Sequence, residues 1–129
     1  MNNHPLYNKG SNPKTGLTRI IYAAGYSISG FKAAFQHEAA FRQILFLNII
    51  LIPITFFLDV SAVEQALMVG VCLFAIIVEL FNSAIEAVVD RVSLERHPLS
   101  KNAKDMGSAA QFVALSMMAI TWAGILLFK

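Results

Sequence analysis

This sequence predicts an all-α membrane protein, with three spanning helices preceded by an amphipathic surface helix. Three observations lead there. The 129-residue chain is 57% hydrophobic and only 14% charged, against about 45–50% apolar residues in soluble domains, and its mean hydropathy is +0.61. Three apolar runs each approach the ~20 residues that cross a bilayer. The charges cluster between those runs. One domain is the expectation at this length. A net charge of +2 is too small and too scattered for a nucleic-acid partner. The single cysteine, Cys72, lies in an apolar run, and alone it makes neither an intrachain disulfide nor a cysteine-rich metal site.

Residues 1–17 are rich in Asn, Pro, Gly and Lys and hold no apolar segment of signal-peptide type, so they read as a flexible tail. From about 18 to 36, Ile20, Ile21, Ala24, Ile28, Phe31 and Phe35 recur at helical spacing, with Arg19, Ser27, Ser29, Lys32 and Gln36 on other faces. That pattern predicts an amphipathic helix on the cytoplasmic leaflet, where basic residues attract anionic headgroups. The first span covers about 39–58, with Pro53 expected to kink it. The second covers about 63–89 and the third about 107–128.

Basic residues set the orientation. Lys9, Lys14, Arg19, Lys32 and Arg42 precede or open the first span, and Arg91, Arg96, Lys101 and Lys104 separate the second from the third. The connector Asp59 to Gln65 has no Lys or Arg. The positive-inside rule therefore puts the N-terminus and the second connector in the cytoplasm and turns the C-terminus outward.

The stretch from Glu79 to Asp90 continues the apolar run Ala66 to Val78 without a break. At about 100° per residue, Glu86 and Asp90 fall within roughly 20° of Glu79, Ser83 about 40° away and Asn82 about 60° away. Three acids, an amide and a hydroxyl thus form one polar stripe on a helix that begins inside a membrane. A carboxylate near the bilayer interior costs roughly 2–3 kcal/mol on the lenient insertion scale, and such groups usually face protein or water and carry function. Glu38, Arg42, Lys104 and Asp105 join the stripe in a layer at the inner interface. Glu38 and Arg42, four apart, are expected to share a helix face.

Such a layer suits phosphoryl transfer. Paired carboxylates hold a hard cation such as Mg2+ together with substrate phosphates. Lys and Arg stabilise a phosphoryl group in flight. A desolvated carboxylate is a competent general base. At an interface, a lipid hydroxyl approaches from one side and a soluble phosphate donor from the other. Phosphate-binding and protein-kinase glycine loops are absent, and so is the second His that would turn His37-Glu38 into a zinc-protease motif. His4, His37 and His97 show no ligand spacing.

The segments Glu79 to Arg91, Ala103-Lys104-Asp105-Met106-Gly107-Ser108-Ala109-Ala110 and Glu38-Ala39-Ala40-Phe41-Arg42-Gln43 resemble the signature of the small bacterial membrane diacylglycerol kinases. Thr18 to Ile21 and Ala23 to Ser27 are similar to that family's surface helix. The likeness spans about residues 16–128 and makes 18–129 the kinase domain. It implies a homotrimer with sites shared between subunits, and transfer of the γ-phosphoryl group of ATP, with Mg2+, to diacylglycerol. By position, it implies Glu79 as the catalytic base and Glu38 and Glu86 as the Mg2+ ligands. The nucleotide would meet Arg19, Tyr26, Glu38, Glu86, Glu95, Arg96, His97, Lys104 and Asp105. The lipid would meet Arg19, Ala23, Ala24, Tyr26, Ser27, Lys32, Phe35, Phe41, Gln43, Phe57, Glu79, Ser108 and Trp122. Asn82 and Asp90 would support the site. Tyr22 stands where a lysine is familiar in that family, Ile28 and Phe57 where tryptophans are, and Gln65 where an arginine is. These departures leave the catalytic set intact and bear on lipid contacts and stability.

Two rival readings remain at this stage. A polyprenol kinase of the same fold acts on undecaprenol. A small proton-coupled transporter also places a carboxylate in the membrane, but its carboxylate lies mid-bilayer with access from both sides, whereas this layer sits at one interface beside cations.

Overall fold

The computed structural model describes residues 16–128, so most of the N-terminal tail lies outside it. Among the described residues there is no strand. Four α-helices follow in order: α1 (Gly16–His37), α2 (Ala39–Ile54), α3 (Ala62–Val92) and α4 (Pro98–Leu127). A short 3-10 turn, Thr55–Phe57, closes α2. The segment α2 with its 3-10 turn, α3 and α4 are each long and apolar enough to cross a membrane. Residues up to Ala33 form one compact unit and residues from Ala34 form another. In the first unit, α1 carries Ile20, Ile21, Ile28 and Phe31 exposed on its surface.

Each boundary in the second unit has a local cause. Glu38 leaves the helical region (φ −120°, ψ 107°) and caps α2, although its N–H still reaches the Ala34 carbonyl. The expected shared helix face of Glu38 and Arg42 is therefore interrupted. Arg42 instead donates from Nη1 to the Phe35 carbonyl at 2.6 Å. Pro53 falls in the last turn of α2. It has no N–H for the ladder, and the α-helix gives way to the 3-10 turn just after it. Ser61 and Glu64 form a capping box at the start of α3: the Glu64 N–H donates to Ser61 Oγ at 3.1 Å and the Ser61 N–H to Glu64 Oε2 at 2.7 Å.

α4 begins nine residues before the expected third span (98 against 107). Pro98 at its first turn suits a helix start, and His97 caps it by accepting the Leu99 N–H on Nδ1 at 3.1 Å. The apolar span thus continues a polar helix that projects from it. Hydropathy marks only the apolar part.

α3 packs antiparallel to both neighbours. Asn48 of α2 donates to the Cys72 carbonyl at 2.7 Å, and Gln65 donates to Thr55 Oγ1 at 3.2 Å. On the other side, Trp122 Nε1 donates to the Met68 carbonyl at 3.2 Å and Gln111 Nε2 to the Ala75 carbonyl at 3.2 Å. Ile44, Val71, Cys72, Ala75 and Met118 form the core between these helices.

Candidate active site

Glu79 is 3% exposed, the most buried charged side chain among the described residues. It sits one turn along α3 from Ala75, where α2 and α4 both close over the helix. The register of Asn48 on Cys72 and Thr55 on Gln65 puts Phe41 level with Glu79, and Phe41 is fully buried. The side-chain amides of Asn82 and Gln111 lie near the Glu79 carboxyl, with the carboxylates of Glu86 and Glu38 at longer range. Glu38 reaches this level because it caps α2 at the helix break.

Asn82 and Ser83, also on the stripe, are buried. A Cβ at Gly107 would run into the Asn82 amide oxygen, so α4 can approach α3 here only through glycine. Among the described residues, Asn82 Oδ1, Ser83 Oγ and Gln111 Oε1 are buried without a hydrogen-bond partner. Asn48 Oδ1, level with Cys72, is in the same state; each such atom costs about 1–3 kcal/mol.

Beyond Glu79 the stripe leads to a second feature. A pocket of about 830 Å3 opens where α3 turns into α4, lined among others by Asp90, Glu95, Arg96, His97, Lys101, Lys104 and Asp105. Its volume lies in the range of small-molecule sites, about 300–1,000 Å3. Lys104 pairs with Asp90 across the helices at 2.7 Å, and Lys101 pairs with Asp105 at 2.5 Å. Both lysines are thus paired with carboxylates. His97, which also lines the pocket, caps α4 by accepting the Leu99 N–H on Nδ1.

Along α3, Glu86 stands seven residues from Glu79 and four from Asp90, roughly 10 Å and 6 Å at 1.5 Å per residue. The buried acid, the middle acid and the cation-lined pocket are therefore in line. Among the described residues no three His, Cys, Asp or Glu side chains converge on a point. Two carboxylates with substrate phosphates are what a Mg2+ site commonly uses, and Glu38 and Glu86, both half-buried, supply that donor type.

The remaining expected residues divide. Glu95, Arg96, His97, Lys104 and Asp105 come together in the pocket. Phe35 packs edge-on against Phe46, with ring centroids 6.3 Å apart. Gln43 and Ser108 are exposed. Phe57 is 88% exposed in the turn after α2, and its neighbour Thr55 bonds Gln65, which precedes Glu79 by roughly 21 Å of helix. Trp122 bonds Met68, roughly 16 Å from Glu79 along α3. Neither aromatic lies beside Glu79. Arg19, Ala23, Ala24, Tyr26, Ser27 and Lys32 are exposed on α1 in the first unit, where Ser27 Oγ donates to the Ala23 carbonyl at 3.0 Å. Lys101, Gly107 and Gln111 were not anticipated. A glutamine in an apolar span was the one available signal.

Comparison with known proteins identifies the family. The profile of the prokaryotic diacylglycerol kinase family matches residues 25–126. The chain is similar to the diacylglycerol kinase of Pseudomonas aeruginosa, 71% identical over 114 residues, which are 88% of this chain and 93% of that protein. It is 52% identical over 114 residues to the diacylglycerol kinase of Haemophilus influenzae (88% and 97% covered). To that of Escherichia coli K12 it is 50% identical over 112 residues (87% and 92%). A family profile matched over most of the chain, together with relatives up to 71% identical, makes this protein a member of the prokaryotic diacylglycerol kinase family.

Proposed function

We propose that this protein is a lipid kinase of the bacterial inner membrane that transfers the γ-phosphoryl group of ATP to diacylglycerol, giving phosphatidic acid. One observation carries the reading: Glu79, Glu86 and the pocket at Asp90 and Lys104 follow one another along a single face of α3. The nucleotide lies in the pocket, with Arg96 and Lys104 neutralising its phosphates. The lipid lies in the bilayer with its headgroup at Glu79. Glu79 takes the proton of the free hydroxyl as that oxygen bonds to the γ-phosphorus, and the bond from phosphorus to the β–γ bridging oxygen breaks, releasing ADP. Glu38 and Glu86 would hold Mg2+, which when bound supplies further charge neutralisation on the phosphates. Contacts of Arg19, Ala23, Ala24, Tyr26, Ser27 and Lys32 with the ligands rest on the resemblance alone.

The reading extends to assembly and orientation. Within one chain, large apolar side chains of all three spans stay exposed, among them Phe46, Ile49, Ile50, Phe74, Phe81, Phe112 and Ile120. Lipid and neighbouring copies would cover them, which supports a homotrimer with shared sites. The basic residues at the pocket end support a cytoplasmic N-terminus, with ATP entering from that side.

The test is an assay of the purified full chain in mixed micelles with labelled ATP, Mg2+ and either diacylglycerol or undecaprenol. Label in phosphatidic acid is the expected result. Label in undecaprenyl phosphate instead would transfer the reading to a polyprenol kinase, and label in neither lipid would overturn it.

A further inference from the structure

Gln111 is 8% exposed in the apolar middle of α4. One N–H of its amide donates to the Ala75 carbonyl at 3.2 Å. In an α-helix that carbonyl is also the acceptor for the backbone N–H of residue 79. The amide thus grips the turn of α3 from which Glu79 projects, and it lies near the Glu79 carboxyl. Its oxygen is buried with no partner. An apolar residue of the same size would fill the space without that penalty. Asn48 has the same kind of bond and the same orphaned oxygen; what sets Gln111 apart is that its carbonyl partner lies one turn from Glu79.

We propose that Gln111 is a positioning residue, whose amide bridges the Ala75 carbonyl and the Glu79 carboxyl and fixes the carboxyl toward the lipid hydroxyl. The proposal rests on Glu79 being the base of the kinase reaction. The amide has two N–H groups, so one can stay on Ala75 while the other holds the carboxylate. A charged acceptor makes that second bond the stronger of the two.

The test uses Gln111→Met, which keeps length and volume and removes both donors. In the full-length protein in micelles, kcat should fall about tenfold, the worth of a hydrogen bond to a charged group. KM for ATP and thermal stability should stay at wild-type values, because the pocket and the packing are untouched. A spectroscopic readout separates positioning from structure. The carboxylate stretching band that disappears in Glu79→Gln belongs to Glu79, and it should move in Gln111→Met. Wild-type kcat with an unmoved band overturns the proposal, as does a loss of kcat accompanied by an equal loss of stability. Should Gln111→Met fail to fold, Gln111→Asn, which withdraws the amide by one methylene, is expected to give the same kcat loss and band shift, and a wild-type result there overturns the proposal as well. If Glu79→Gln itself stays active, the failure lies with the assignment of the base, and the band position still reports whether Gln111 holds that carboxyl.

Discussion

Between Ala66 and Val78, α3 carries no charged or amide side chain, and its core face takes hydrogen bonds on backbone carbonyls: Met68 from Trp122, Cys72 from Asn48 and Ala75 from Gln111. Between Glu79 and Asp90 the direction reverses. There α3 supplies the polar groups itself: Glu79 lies near two other acids, Asn82 meets a glycine that makes room, and Asp90 pairs with Lys104. In the first half, polar side chains of α2 and α4 act as fixings, much as amides do between membrane helices. In the second half, the arrangement is one that packing alone would reject. Carboxylates gathered in an apolar setting repel one another and lose hydration, so their placement there marks a site. One continuous helix thereby joins a rigid scaffold to reactive groups without a hinge between them.

The largest effect that separates the halves belongs to Glu79. Glu79→Gln keeps the shape and the hydrogen-bonding capacity but removes the base. Turnover should drop by about 100-fold or more, in the range for general base catalysis. Thermal stability should hold or rise, because a buried charge beside two other acids is removed. A mutant with near wild-type turnover would place the base elsewhere.

The next effect tests the middle of the line. Glu38→Ala and Glu86→Ala should each raise the Mg2+ concentration for half-maximal activity by about tenfold or more, in keeping with the loss of a charged metal partner. Titrating activity with Mg2+ at saturating lipid checks this. Normal Mg2+ dependence in both variants would mean that these two acids act only through the field at Glu79.

A smaller effect is expected at the helix contact. Gly107→Ala places a methyl against the Asn82 amide oxygen. Because that oxygen ends a side chain, Asn82 can turn aside, at a cost of about 1 kcal/mol, the low end for overpacking. Turning withdraws its amide from Glu79. Activity should therefore fall further than the melting temperature suggests, and measuring both on one preparation decides it. Stability loss without activity loss would reduce Gly107 to a packing residue.

Much of this was legible in the sequence, because membrane physics writes itself into one dimension. The acidic stripe follows from helical periodicity, and the basic residues near the third span led to the cluster that lines the pocket. What escaped has definite reasons. The pairing of Glu38 with Arg42 assumed a continuous helix, yet the chain breaks at Glu38 with neither Gly nor Pro to announce it. Lys101 reads as one more cytoplasmic charge until Asp105 and the pocket fix its place. Asn48 and Gln111 donate to backbone carbonyls of another helix, and every residue has a carbonyl, so no spacing rule could reveal the pairing. The capping box Ser61-Ala-Val-Glu64 was readable but lies far from the chemistry.

The smallest effect is the most discriminating, because Asn48 and Gln111 are close counterparts. Each is a buried amide that donates to an α3 carbonyl, and each leaves its own oxygen without a partner. They differ in level: Asn48 bonds Cys72, a further turn from Glu79, and nothing reactive faces it. Asn48→Leu removes one hydrogen bond and one orphaned oxygen together and leaves a side chain of similar size. These contributions nearly cancel, so stability should change by less than about 1 kcal/mol. Turnover and the Glu79 carboxylate band should match wild type. If turnover instead falls as far as in Gln111→Met, the division of α3 into scaffold and site is wrong, and the amides of both neighbouring helices tune the carboxylate through the backbone they share.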